Sequence, residues 1–268
     1  MEDPDWLPPE INTGMAHPAR VYDYMLGGRD NFAADRELAE AVTAAMPSAP
    51  FMTRANRAFL GRAVRYLTTE AGIRQFLDIG TGIPAAGNTH EVAQAVAPRS
   101  RVVYVDNDPI VHAHARALMT GDPAGTTAFI QADLREPGKI LADPALQRTL
   151  DLGEPVALML VAILMYVREE ENPQGIVSTL LDALPSGSYL TISHASGDFN
   201  PDEATGAAAA TQRSGIPFTS RTQAEVSALF AGLDLVDPGV VPVLAWRPDA
   251  PPANPRAAYY YGAVARKP

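Results

Sequence analysis

At 268 residues, 47% hydrophobic and 19% charged, the chain has enough apolar side chains for a folded core and too few charges for disorder. Its formal net charge of -10, without any dense Lys/Arg run, argues against a partner with a phosphate backbone, so nucleic acid is not expected. The absence of cysteine excludes disulfides, thiolate zinc sites and a cysteine nucleophile.

Met1 to Glu10 is acidic and proline-containing, with neither the basic nor the apolar region of a secretory signal, and a cytoplasmic location is expected. Residues 1 to 18 read as an extended arm. The following stretch VYDYMLGGRDNF, Val21 to Phe32, mixes aromatics, charges and a Gly27-Gly28 pair and suits a lid; the glycines either end a short helix or act as a hinge. Helices are predicted over Asp35 to Met46 and Thr53 to Thr69, where Phe59, Leu60, Ala63, Val64 and Leu67 recur at helical spacing. Residues 1–70 thus form an arm, a lid and helices packed on a second unit, residues 71–268.

In that second unit short apolar strands alternate with helices, the pattern of a doubly wound α/β fold whose sheet is mostly parallel. Strands are predicted at Gln75 to Ile79, Arg101 to Val105, Thr127 to Gln131, Val156 to Ala162 and Ser188 to His194. Helices are predicted at Thr89 to Ala97, capped by Asn88 or Thr89, at Pro109 to Met119, Asp143 to Thr149, Pro173 to Ala183, Ala204 to Ser214 and Gln223 to Phe230. Leu233 to Val243 and Ala258 to Arg266 close the chain as an antiparallel hairpin. The longest apolar run, Val156 to Val167, is too short for the roughly 20 residues of a bilayer helix, and no membrane partner is expected.

The chemistry concentrates in FLDIGTGIP, Phe76 to Pro84, where a strand runs into a glycine-bearing turn. Gly80 and Gly82 let the backbone approach a ligand, and with Ala85 they also satisfy a loose dinucleotide pattern, which admits a nicotinamide-dependent oxidoreductase. Asp78 opposes that reading. A carboxylate beside the turn repels a pyrophosphate but attracts the ammonium and sulfonium of S-adenosylmethionine. Gly87 and Asn88 delay the next helix, which disfavours pyrophosphate capture at its N-terminus. Asp106, ending the second strand in VVYVDND with Asn107 next to it, suits ribose hydroxyls. Asp133, in QADLREP with Leu134 beside it, suits an adenine amino group. Each acid has an ordinary alternative as a loop cap.

The segments RVYDYMLGGRDNF, FLDIGTGIP, VVYVDNDP, ADLREP and SYLTISHAS resemble the S-adenosyl methyltransferase family first catalogued as a domain of unknown function. The resemblance covers most of the chain. It implies a seven-stranded class I methyltransferase fold with S-adenosylmethionine as cofactor. It further implies Asp78, Gly80 and Gly82 at the methionyl end, Asp106 at the ribose and Asp133 at the adenine. Pro84 stands where a third glycine is common, and Ile163 to Val167 holds no histidine.

Tyr22 is a candidate to cover the sulfonium, and Arg29, with Asn31 in the same polar stretch, to pair with the cofactor carboxylate. His194 and Tyr166, following strands five and four, are candidates to assist deprotonation of an acceptor; each has a core alternative. His112 and His114 fall on opposite helix faces and His90-Glu91 lacks a second histidine, so no metal is expected. The reading is a methyltransferase acting on a small-molecule acceptor. The alternatives are a non-catalytic sensor of S-adenosylmethionine or its product, and the oxidoreductase.

Overall fold

The computed structural model describes residues 12–111 and 123–268. The arm before residue 12 and most of the helix expected over Pro109 to Met119, His112 and His114 included, lie outside them.

Three helices precede the sheet: α1 (Pro18–Leu26), α2 (Ala33–Ala45) and α3 (Ala49–Thr69). The sheet contains β1 (Gln75–Ile79), β2 (Arg101–Asp106), β3 (Thr126–Gln131), β4 (Ala157–Val161), β5 (Tyr189–Ala195), β6 (Asp234–Leu235), β7 (Val241–Pro242) and β8 (Tyr260–Arg266). Between strands run α4 (Thr89–Val96), α5 (Pro137–Ala142), α6 (Pro144–Thr149), α7 (Pro173–Asp182), α8 (Pro201–Arg213) and α9 (Gln223–Ala228). The strand order is β3-β2-β1-β4-β5-β8-β6, with β7 also paired to β8. β1 to β5 are mutually parallel, and β8 runs antiparallel to β5, β6 and β7. The β6 and β7 ladders share one edge of β8, so the expected hairpin strand is a single strand broken where Pro238 has no N–H to give the ladder.

Strand alternation divides the core. Phe76, Val102, Tyr104 and Met159 pack with Phe59, Leu60, Ala63, Val64 and Leu67 of α3 on one face. Leu77, Ile79, Val103, Val105, Leu158 and Leu160 face α5, α6, α7 and α9 on the other. Each such side chain contributes about 1.5–3 kcal/mol by leaving water. Asp78 falls in the Phe76 register and is therefore driven toward the helical face. Proline in the first turn starts several helices, and Asn172, Asn200 and Thr222 cap α7, α8 and α9 by accepting N–H bonds.

The expected lid is half regular helix. Gly27, at φ 85°, ends α1, and its successor Gly28 donates its N–H to the Asp23 carbonyl. Loop 27–31 wraps the Asp23 carboxylate, which accepts from the Asp30 N–H at 3.0 Å and the Asn31 amide at 2.8 Å. A Cβ at Gly28 would overlap that carboxylate, which accounts for the glycine pair. No helix among the described residues is long and apolar enough to cross a membrane.

Candidate functional site

The carboxyl ends of β1, β2 and β3 open onto a cavity of about 320 Å³, roofed by residues 15–19 and Tyr22 of the N-terminal segment and by residues 214–217 after α8. Asp78, Gly80, Gly82, Asp106, Asn107, Asp133, Leu134, Tyr22 and Tyr166 all line it. Three acids separated along the chain thus converge because successive parallel strands end on the same rim.

Gly80 and Gly82 have φ of 77° and 67°, the left-handed region that glycine enters freely. The Gly80 N–H donates to the Val105 carbonyl at 2.8 Å, and the Gly82 N–H to the Asp106 carboxylate at 2.8 Å, tying the first turn to the second. α4 begins only at Thr89, so its N-terminus is set back from the turn. Asn88 occupies the N-cap position without capping: its Oδ1 accepts instead from Arg57 at 2.6 Å and from the Ala85 N–H at 3.2 Å. Thr89 does not cap either, because its hydroxyl donates to Asp78 at 2.6 Å.

Asp78 is 6% exposed. Burial pushes its carboxyl up to about 6, against the Thr89 bond and the Arg57 charge. Asp106 is also raised by burial, against N–H bonds from Asp108 and Gly82. For Asp133 burial works upward, but the Arg135 N–H and guanidinium outweigh it and hold the group ionised. One rim therefore has an acid poised to change charge near neutrality and another that stays charged.

Several cavity residues carry no local sequence signal. Arg57 of α3 donates to the carbonyls of Ala85 and Ala86 and so braces the return limb of the glycine turn. His17 caps α1, and its Nδ1 lies 3.0 Å from Asp108 and 3.3 Å from the Ala19 N–H; the protonated ring donates to the first, the neutral ring accepts from the second. Burial lowers the His17 pKa, but the Asp108 bond and charge win and raise it. Arg20, 5% exposed, ties α1 to Asp35 and Asp108 at 3.6 and 3.3 Å. A buried relay fixes Tyr22: its hydroxyl donates to the Thr53 carbonyl and accepts from Asn56, whose Oδ1 accepts from Ser193. Apart from the short-range His17 cap on Ala19, these are contacts between distant segments.

Three expected site residues are not at the cavity. Asn31 spends its amide on Asp23 of α1 and the Gly28 carbonyl and accepts from Arg36 of α2 through its oxygen, all within 8 residues along the chain. Arg29 is exposed on the same loop and does not line the cavity. His194 is fully buried: Nδ1 donates to the Ala195 carbonyl at 2.8 Å and Nε2 accepts from Arg221 at 2.8 Å, so neither nitrogen is free to take a proton from an acceptor. Burial lowers its pKa to about 4. Tyr166 is at the cavity, but burial raises its pKa, which disfavours the expected part in deprotonation.

Arg221, 4% exposed, also donates to the carbonyls of Leu164 and Val167, so it pins the loop after β4 to β5. Arg221→Met should cost about 3 kcal/mol, the usual toll of leaving a buried polar network unpaired, measured by chemical denaturation. Unchanged stability would refute the structural role of the pair.

A doubly wound sheet carrying this rim of acids around a glycine turn is the class I methyltransferase architecture. The model of the S-adenosyl methyltransferase family matches residues 4–268, and the chain belongs to that family, whose cofactor is S-adenosylmethionine. It is similar to a DUF574 family protein of Streptomyces avermitilis MA-4680, with 49% identity over 96% of this chain and 99% of that one and a TM-score of 0.93. It is also similar to a Thermobifida fusca YX protein provisionally described as a methyltransferase, with 41% identity over 98% and 99% of the two chains and a TM-score of 0.91. An O-methyltransferase family 2 protein of Planctomyces limnophilus DSM 3776, 17% identical over 88% of this chain and 66% of that one, shares the fold at a TM-score of 0.51. No curated protein matches the sequence.

Proposed function

We propose that this chain transfers the methyl group of S-adenosylmethionine to a small-molecule acceptor, with neither nucleic acid nor membrane as partner. The observation that carries this reading is the convergence of Asp78, Asp106 and Asp133 with Gly80 on one cavity, an acceptor set matched to a cationic nucleoside. Asp78 would face the ammonium, Asp106 and Asn107 the ribose hydroxyls, and Asp133 and Leu134 the adenine; Tyr22 would cover the sulfonium. A pyrophosphate finds no comparable fit, because Asp78 repels it and the helix N-terminus is withdrawn.

Held by Asp78, Asp106 and Asp133, the cofactor would supply an activated methyl to an acceptor lone pair, the carbon–sulfur electron pair remaining on sulfur, and the methylated product would give up its proton to solvent on release. What the chain contributes is position and water exclusion. Acids and glycine turn hold one reactant while the roof of residues 15–19 and 214–217 shuts out solvent.

Titration calorimetry with S-adenosylmethionine, its demethylated product and NAD tests the proposal. The first two should bind with one site per chain and NAD should not. Tight NAD binding, or none by the sulfonium ligand, would overturn it. The cytoplasmic location expected from the character of Met1 to Glu10 belongs to the same proposal, and fractionation of the host cell tests it.

A further inference from the structure

Beside the cofactor cavity lies a second chamber of about 70 Å³, enclosed by α1, α2, α3, α8 and the ends of β5 and β8. It adjoins the first: Pro18, Tyr22, Tyr166 and Ile216 line both. None of its lining residues is Asp, Glu, Lys, Arg or His. Three methionines, Met25, Met46 and Met52, give it walls that adapt to shape. Its polar groups are mostly spent internally, since Thr53 and Thr211 donate to carbonyls one helical turn back and the Tyr22 hydroxyl is engaged on both sides. Two phenols differ. The hydroxyls of Tyr166 and Tyr260 have no hydrogen-bond partner among the described residues, and Tyr260 is 8% exposed.

We propose that this chamber is the acceptor site, and that the acceptor is an uncharged, largely apolar small molecule whose polar atom meets the Tyr166 and Tyr260 hydroxyls. The inference rests on the methyl-transfer reading and narrows its substrate class. A charged group placed among these walls would find no counter-ion and would forfeit its hydration. An apolar group gains there instead, because apart from the two phenols the lining side chains are apolar or already bonded. The volume sets a scale: about half the roughly 150 Å³ that a dry cavity uses to hold benzene. The chamber therefore takes a ring edge or a short alkyl group, and the rest of the acceptor extends past Tyr166 into the cavity that also holds the cofactor.

The test uses the full chain saturated with S-adenosylhomocysteine and two probes, para-cresol and para-toluenesulfonate, followed by saturation-transfer NMR and calorimetry. Para-cresol should bind at least tenfold more tightly. Ala207→Leu, which fills the chamber from α8, should weaken para-cresol at least tenfold while S-adenosylhomocysteine affinity stays within twofold. If that variant loses S-adenosylhomocysteine binding through misfolding, Val42→Phe fills the chamber from α2 and is read the same way. Tyr166→Phe with Tyr260→Phe should weaken para-cresol but not toluene. Equal binding of the two probes, no binding of para-cresol, or indifference to the filling variants would overturn the assignment. Failure of S-adenosylhomocysteine to bind the wild-type chain would instead fall on the cofactor reading.

Discussion

Gly80→Ala is expected to lower the thermal midpoint by about 10 °C and to abolish measurable binding of S-adenosylmethionine. Two costs coincide at this residue. Its φ of 77° is a left-handed conformation that a side chain enters at roughly 1–2 kcal/mol. A Cβ built there also meets Ile163 at 2.5–2.7 Å, an overpacking that costs about 1–3 kcal/mol. Together about 3 kcal/mol corresponds to roughly 6–12 °C in a domain of this size. Relaxation is available only by moving the turn, which carries the Gly80 and Gly82 N–H bonds and hence the cavity floor. Differential scanning calorimetry checks the first expectation and titration calorimetry the second. The double variant with Ile163→Ala should recover about half of the lost stability, because the collision disappears while the backbone strain remains. A single variant with the parent's midpoint and affinity would show that the turn is not as tightly specified as its geometry indicates.

The second large effect is opposite in its two parts: at pH 8, Asp78→Asn should stabilise the cofactor-free protein while weakening S-adenosylmethionine at least tenfold. The carboxyl moves from an ordinary 3.8 to about 6 on folding, chiefly through burial. Below about pH 4 both folded and unfolded chains hold the proton and the residue costs nothing. As the pH rises through about 6 the folded state must bury a charge, at about 3 kcal/mol on the order-of-magnitude scale of 1.4 kcal/mol per pH unit. The amide removes that charge and keeps an oxygen for the Thr89 hydroxyl. It also removes the attraction for a cationic ligand. Wild-type affinity should therefore fall on acidification from pH 7 to 5, and the variant's should stay flat. Equal affinities at pH 8 would remove the electrostatic basis of the site.

His194 titrates with the contrary sign. Its folded pKa is depressed to about 4 from 6.5, so its contribution is complete above 6.5 and is lost as the pH falls toward 4. The two groups offset each other in the wild type between pH 4 and 6.5. Asp78→Asn removes one side of that offset, so its stability should decline more steeply than the wild type's as the pH falls through that window.

The strands β1 to β5 could be placed within a residue or two from alternating apolar runs and turn residues, because a strand's period and its flanking glycines are local properties. Asp78, Asp106 and Asp133 were legible for the same reason: an acid at a strand's carboxyl end needs no knowledge of distant chain to be put on the rim. The lid was half misread. VYDYMLGGRDNF contains a helix C-cap, one of the two readings its glycine pair allowed, and a loop folded around Asp23, which the mixture of aromatic and charged residues masked. Arg29 and Asn31 went wrong with it, since their destination is set by Asp23 rather than by a ligand.

His194 shows the limit most sharply. Its position at the end of β5 promised a functional rim, yet in the buried interior the Ala195 carbonyl takes one ring nitrogen and Arg221, arriving much later in the chain, the other. Arg57, His17 and the chamber beneath α1, α2 and α8 were equally invisible beforehand, for each is made by segments that meet only when the helices close on the sheet. Patterning and strand-end chemistry are short-range and so can be read in one dimension: they dictated the doubly wound sheet and the acids around its glycine turn. Which polar groups are consumed by neighbours, and which surfaces enclose a space, depend on long-range packing. That packing alone made His194 inert and joined the apolar chamber to the cofactor cavity.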